Sequence, residues 1–597
     1  MTIPYHAPIE DILFALKTSG ELSKLQALPS YEECSDDLAE AVLVEADKVA
    51  SEILAPVNFS GNEAGSKLEG DTVVTPKGWQ DAYEAFQSGG WMGLGFDIEH
   101  GGQGMPSLLS TATNEIWHSA NMAFSLCPLL TQGAIDAIII HANDDIRDKF
   151  LDKLITGKWS GTMDLTESQA GSDLALIRTS ATPQGDHYLI KGQKIFITYG
   201  DHDLTENIAH LVLARLPDAP QGVKGISLFV VPKFTIDELG EIDQPNDLKC
   251  IKLEHKLGIH GSPTCVMSYG DHGGAVGYLV GEENAGLACM FTMMNNARHG
   301  VGLQGLSIAE RSFQQALAYA NERVQSNPAG SEVQHAKIIE HPDVKRMLML
   351  MKSNIEAMRG LCYWHASLMD LAEKSADEQV REFNHRMLEF LTPVVKGWCT
   401  ELSNELTSYG VQVHGGMGYI EETGAAQHYR DARITAIYEG TTAIQANDLL
   451  GRKLLRDKGA AVSKIIDDAL AFADTSDKTA ADQPLVIMKA KLHDAVNQLS
   501  NATGWLLKNG KAQPALVAGA SVNYLSLCGL VLCGYKLVEQ ACEAHHLLNA
   551  EQAPENKDFL QSKITTAQFY CTQMLPRAMA YEQMILGGSS SVLDAKL

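Results

Sequence analysis

The chain has 597 residues, too many for one core, so about three or four domains are expected; at 45% hydrophobic and 20% charged it has ordinary globular composition. With 47 Lys and Arg against 74 Asp and Glu, the net charge is −27, which disfavours nucleic acid and anionic lipid as partners. The 11 scattered cysteines form no CxxC pair and no zinc-type Cys/His spacing, and HExxH is absent, so reduced thiols and no metal site are expected.

The opening stretch, MTIPYHAPIEDILFALKTSGEL, has no basic start and its apolar run is broken by acids. It does not read as a signal peptide. Residues 1–160 read as a helical domain, with apolar residues three and four apart in SYEECSDDLAEAVLVEADKVASEILAPV and DIRDKFLDKLITGKW. Residues 161–283 read as an antiparallel β-domain. HYLIKGQKIFITYG (187–200) alternates around Gly-Gln as a hairpin does, and IAHLVLARL and GISLFVVPKF are short β-branched runs. Residues 284–455 read as a bundle of long helices, the first of about 35–40 residues. TSDKTAADQP (475–484) reads as a polar linker inside a last helical domain, 456–597. Within it, 512–535 is uncharged and long enough to span a bilayer, but its Gln, Ser and Asn residues favour a buried bundle helix.

Three motifs carry chemistry or imitate it. GVGLQG (300–305) matches a dinucleotide fingerprint, yet helical sequence flanks it on both sides; close helix packing at Gly300, Gly302 and Gly305 is expected instead. MDLTESQAGSDLALIRTSA (163–181) is a surface turn, or a loop whose N–H groups and hydroxyls approach a planar, phosphate-bearing ligand past Gly171. VQVHGGMGYIEE (411–422) precedes YRDARITAIYEGTTAIQAN (429–447), where Arg430 and Arg433 suit either phosphate or structural ion pairs. Glu439, between Tyr438 and Gly440, is by residue type alone a solvated turn acid.

Together, LTESQAGSD, IKGQKIFITYG, EHKLGIHGSPT, NNARHGVGLQG, QVHGGMGY and RDARITAIYEGTTAIQ resemble the acyl-CoA dehydrogenase family, in its order and spacing, over residues 40–455. The ends resemble the family's longer branch, which includes 3-methylmercaptopropionyl-CoA and bacterial long-chain acyl-CoA dehydrogenases. The implied fold is an N-terminal helical domain, a β-domain and a four-helix bundle, here with an extra C-terminal helical domain. The implied activity is α,β-dehydrogenation of an acyl-CoA, in the cytoplasm, with electron-transfer flavoprotein as acceptor. An acyl-CoA oxidase and a non-catalytic scaffold are the alternatives.

By the same resemblance Glu439 is the base, Gly440 leaves room for the thioester, and Thr441 or Thr442 caps a helix whose start favours an ionised Glu439. Met163, Leu165 and Thr166 correspond to contacts on the ring of non-covalent FAD. Ser172 lies near its pyrophosphate and the CoA chain, and Phe196 and Thr198 cover the ring. Arg323, Gln412, Gly415, Gly416 and Thr441 match contacts to the rest of FAD, partly from a neighbouring subunit, implying a homodimer or larger. Arg298 matches the CoA contact, and Asn295 stands where many members have Asp. The acyl wall is expected in CMFTMMNNAR (289–298).

Overall fold

The computed structural model describes residues 4–237, 240–330, 334–474, 483–550 and 556–597; most of the linker expected at 475–484 lies outside them. The chain packs as two compact units, one of residues 1–7, 45–105 and 116–300, the other of 8–44, 106–115 and 301–597.

In the first unit, eight strands form one sheet in the order 248–253, 264–269, 187–198, 275–280, 227–232, 207–214 and 159–164, with 180–184 also on 187–198. Two features correct the sequence reading. The pair Trp159–Asp164 and Asn207–Ala214 is parallel, so the sheet is mixed. And His187–Thr198 is one continuous strand, whose hairpin partner is Ser180–Gln184. Gly192 does not turn the chain: a Cβ there would meet Thr179 Oγ1 at 2.5 Å, so the glycine lets the strand pass Thr179. The segment 1–160 is also less purely helical than its periodicity suggests, since Lys67–Glu69 pairs with Thr72–Val74. The helix Met122–His141 packs on Trp159–Asp164 closely enough that a Cβ at Gly161 would meet Ala134 Cβ at 2.4 Å. Its apolar window is 72% buried, and that of Ser521–Leu548 in the other unit is 83% buried. Both are core helices, as read for the second.

The second unit is built on Pro342–Lys374 packed against Glu378–His414, with Ser521–Leu548 against both. The helix Gly286–Glu322, of 37 residues, supplies its later part. Gly302 and Gly305 sit where a Cβ would strike Val395 and the Cys399 carbonyl, the latter at 2.5 Å, so the fingerprint-like glycines serve close helix packing.

The buried Arg359 organises this bundle. Its guanidinium bonds Glu115 at 2.7 and 2.9 Å and Glu310 at 3.0 Å, and Tyr363 donates to Glu115 at 2.6 Å. Arg359 and Glu115 are each 1% exposed, so removing the cation strands two buried carboxylates. Arg359→Met should cost about 3–5 kcal/mol of stability. Thermal unfolding checks this, and an unchanged midpoint would mean that the carboxylates find other partners or protonate cheaply.

Candidate active site

The first unit holds Met163, Leu165, Thr166, Ser172, Phe196, Thr198, Asn295 and Arg298; the second holds Arg323, Gln412, Gly415, Gly416, Glu439, Gly440 and Thr441.

In the first unit a buried ion pair fixes the loop after Trp159–Asp164. Glu167 Oε1 accepts from Lys194 Nζ at 2.9 Å, Thr179 Oγ1 at 2.6 Å and Thr179 N at 3.0 Å. Its Oε2 accepts from Arg178 N at 2.7 Å and Gln169 Nε2 at 2.6 Å. Burial raises the Glu167 pKa, but Lys194 and these donors outweigh it and hold the carboxyl at about 2. Lys194 also donates to the Leu165 carbonyl at 3.0 Å, and Ile195 N to the Thr166 carbonyl at 2.8 Å.

This ties Leu165 and Thr166 to the strand that carries Phe196 and Thr198. Phe196 sits in a left-handed backbone (φ 61°) beside a register shift, and the residue is 59% exposed. A bulky residue in that region costs about 1–3 kcal/mol, and such strain clusters at ligand sites. Ser172 is exposed, and a Cβ at Gly171 would meet nothing nearer than 3.9 Å, so the loop's rim is open.

Arg298 is buried rather than a helix-surface charge, and it donates weakly to the exposed Asn295 at 3.4 Å. Met290 and Met293 are fully buried core residues, with Met293 against Gly133. Only Phe291 and Met294, both half-buried, keep the expected wall open among the large apolar residues of 289–298.

In the second unit Glu439 and Gly440 both take left-handed backbone, at φ 55° and 88°. Three helices pin this turn. Tyr438 bonds Gln304 of Gly286–Glu322. Lys396 of Glu378–His414 donates to the Gly440 carbonyl at 2.7 Å. Gln445 of Thr442–Asp448 donates to the Glu439 carbonyl at 3.0 Å and the Gly440 carbonyl at 3.3 Å. Glu439 itself is half-buried. The helix starts where expected, but the capping contact is absent: Thr441 is the exposed N-cap residue without a side-chain bond, while the Thr442 hydroxyl turns to Glu401. Arg430 pairs with Glu421 at 2.6 Å, the structural one of its two readings.

Tyr319 stacks on His414 at 4.5 Å between ring centroids, which brings the end of Gly286–Glu322, where Arg323 is exposed, to the Gln412–Gly416 turn. A Cβ at Gly415 or Gly416 would meet nothing within 4 Å, and Met417, Tyr419 and Ile420 beside them are exposed. Sequence reasoning passed over Glu167, Lys194, Gln304, Lys396 and Gln445. Four of them lie inside motif stretches, Glu167 in LTESQAGSD, Lys194 in IKGQKIFITYG, Gln304 in NNARHGVGLQG and Gln445 in RDARITAIYEGTTAIQ; Lys396 had no such signal.

Family models match in chain order: the N-terminal domain of acyl-CoA dehydrogenase over residues 67–158, its middle domain over 162–272 and its C-terminal domain over 284–454. A model described as acetyl-CoA dehydrogenase C-terminal like matches residues 465–596. The chain belongs to the acyl-CoA dehydrogenase family. It is 48% identical to 3-methylmercaptopropionyl-CoA dehydrogenase of Ruegeria pomeroyi, over 99% of this chain and 100% of that one. A butyryl-CoA dehydrogenase of Syntrophomonas wolfei is 34% identical over 99% of this chain and 98% of its own. A solved acyl-CoA dehydrogenase of Bacillus anthracis, complexed with FAD, shares the fold, with a TM-score of 0.72 and 20% identity over 94% of this chain and 90% of that one. The extra helices beyond 455 are therefore part of an acyl-CoA dehydrogenase of the long type.

The Glu167–Lys194 pair gives this acyl-CoA dehydrogenase a pH-dependent loop. A carboxyl held at about 2 against an ordinary 4.5 stabilises the fold fully above pH 4.5 and loses that contribution as pH falls toward 2. Glu167→Gln strands the Lys194 charge and should cost about 3–5 kcal/mol at pH 7. The deficit against the parent should shrink between pH 4.5 and 2, as read by unfolding at several pH values. A deficit independent of pH would point to lost packing instead.

Proposed function

We propose that this acyl-CoA dehydrogenase holds FAD without a covalent bond and converts a straight-chain acyl-CoA to the trans-2-enoyl-CoA, with Glu439 as base. The observation that carries this is the Glu439–Gly440 turn: a carboxylate on left-handed backbone, held by side chains from three helices, in a chain that matches the family from residue 67 to 596.

The residues present fit FAD. The exposed Phe196, the fixed carbonyls of Leu165 and Thr166, and the open rim at Ser172 suit a flat ring and its phosphates. Gly415 and Gly416 leave bare backbone beside Gln412 and Arg323 for its remainder. None of the matched residues is a His or Cys, so no group stands ready for a covalent link. Bound FAD supplies the two-electron oxidant that accepts hydride from the β-carbon at N5.

The chain's own part is the proton. As the α C–H bond breaks, its proton passes to the Glu439 carboxylate and its electron pair moves toward the thioester carbonyl. Loss of hydride from the β-carbon then completes the C=C bond. Gly440 offers no side chain to block the thioester, and Arg298 is the cation for the CoA portion. An acyl chain that expels water around Glu439 would weaken its ionised form and sharpen it as a base. Electron-transfer flavoprotein is the proposed acceptor, in the cytoplasm. A homodimer or larger assembly is part of the reading, supported by exposed Met417, Tyr419 and Ile420 beside the glycine turn.

Purified protein should be yellow, and acid precipitation should release the flavin; colour left in the pellet would mean a covalent bond. Glu439→Gln should keep fold and flavin but lose about 10²–10⁴-fold in turnover, the usual scale for a general base. Turnover close to that of the parent would place the base elsewhere. For substrate, 3-methylmercaptopropionyl-CoA is the first candidate, as the Ruegeria pomeroyi relative suggests, and medium or long saturated chains are the second. Branching at the β-carbon adds bulk where hydride must leave. Comparing kcat/KM for 3-methylmercaptopropionyl-, butyryl-, octanoyl-, palmitoyl- and isovaleryl-CoA checks this, and a preference for isovaleryl-CoA would refute it. Stoichiometric peroxide would replace the flavoprotein by oxygen as acceptor.

A further inference from the structure

We infer that Lys396 is a positioning residue for the base: its buried ammonium, bonded to the Gly440 carbonyl, sets the turn that aims Glu439. The inference rests on the reading of Glu439 as base.

The backbone at Glu439 needs outside support. A non-glycine residue in left-handed backbone costs about 1–3 kcal/mol and persists only where its surroundings over-determine it. Gly440 is left-handed as well, and a Cβ there would meet Gln445 Nε2 at 2.8 Å. The two peptide carbonyls of this turn are taken by side chains: Gly440 by Lys396 at 2.7 Å and Gln445 at 3.3 Å, Glu439 by Gln445 at 3.0 Å. Lys396 is 0% exposed. Burying an ammonium is costly unless it is paired or well bonded, and a neutral donor such as Gln445 could hold a carbonyl at less cost. The ammonium's acceptor must therefore stay in place, so Lys396 holds the Gly440 carbonyl more strictly than a neutral donor would. Lys396 thus fixes where the carboxylate starts.

This positioning acts on removal of the α-proton, whereas a bundle lysine with a purely structural role would act on stability alone. The step can be isolated with a 3-thia-acyl-CoA, in which sulfur replaces the β-carbon and no hydride can leave. Exchange of its α-hydrogens in D2O, followed by mass spectrometry, then reports proton transfer without flavin reduction. Displacing a reacting group by about 1 Å costs about 10²-fold.

Lys396→Met should therefore slow α-exchange by about 10–100-fold with flavin content and analogue affinity nearly unchanged, and Lys396→Arg should restore part of the rate. In turnover assays kcat should fall while KM stays close to that of the parent. If α-exchange in Lys396→Met equals the parent's while Glu439→Gln abolishes it, the positioning role is overturned and the base reading stands. If Glu439→Gln exchanges normally, the base reading itself fails. Should Lys396→Met not fold, Gln445→Met removes the neutral half of the same clamp. Slowed exchange with flavin retained then supports the clamp, and unchanged exchange overturns it.

Discussion

On the proposed reading Glu439 takes a proton from carbon, so its carboxylate must be aimed before the reaction begins, and a turn between two helices is a poor place to aim from. The chain meets this constraint with left-handed backbone at Glu439 and Gly440, held from outside. Gln304, Lys396 and Gln445 come from three helices and bond three consecutive residues, Tyr438 to Gly440. The glycines at 302 and 305 contribute indirectly, because they let Gly286–Glu322 lie close to Glu378–His414. The helix that carries Lys396 and the one that carries Gln304 are thereby set against each other. Packing, clamp and the proposed base form one chain of dependence.

The β-domain solves a similar problem with opposite charges. Its loop must stay rigid while its rim stays open. A carboxylate buried under that loop, Glu167, gathers five donors from four residues, and the carbonyls of Leu165 and Thr166 are fixed by Lys194 and Ile195. With the loop's polar groups satisfied from beneath, Ser172 and Phe196 are left exposed. The strain at Phe196 is tolerated because the ladder with Thr264–Tyr269 holds the strand on both sides of it, at Lys194 and at Ile197.

The sequence was legible where one short stretch carries both pattern and chemistry. The long helices and the β-domain were read from local runs, and the roles of the 415–416 glycines and of Glu439 from the family resemblance. It was not legible where the partner is far along the chain. Lys396 precedes Gly440 by 44 positions and Gln304 precedes Tyr438 by 134, and nothing near either residue marks it as a clamp. Gly192 was misread because a Gly-Gln pair in an alternating run looks the same whether the glycine turns the chain or makes room for Thr179. The capping expectation failed for another reason: residue type places a Thr at a helix start, but Thr442 had a carboxylate within reach, on Glu401. The methionines of 289–298 split, two into the core and one half-exposed, because helical spacing alone does not say which face is covered.

The charge balance gives these clamps a common logic. With 74 acids against 47 bases, cations are the scarcer charge in this chain. Yet Lys194, Lys396, Arg359 and Lys563 are all essentially buried. Each holds carbonyls or carboxylates at a junction between separate elements. Lys563 joins Asp11, Glu356 and Gln540, and Phe14 meets Phe559 edge to face at 5.6 Å. Burial raises the Asp11 carboxyl, but Lys563 with Lys352 and Arg359 holds it at about 2. The helix Lys557–Gln573 thus fastens Ile9–Lys17, near the other end of the chain, through a cation. A buried cation is tolerated only with its acceptors in place, so each one enforces a particular arrangement of backbone more strictly than an apolar contact of equal size. At Lys396 the arrangement enforced is that of the Glu439–Gly440 turn.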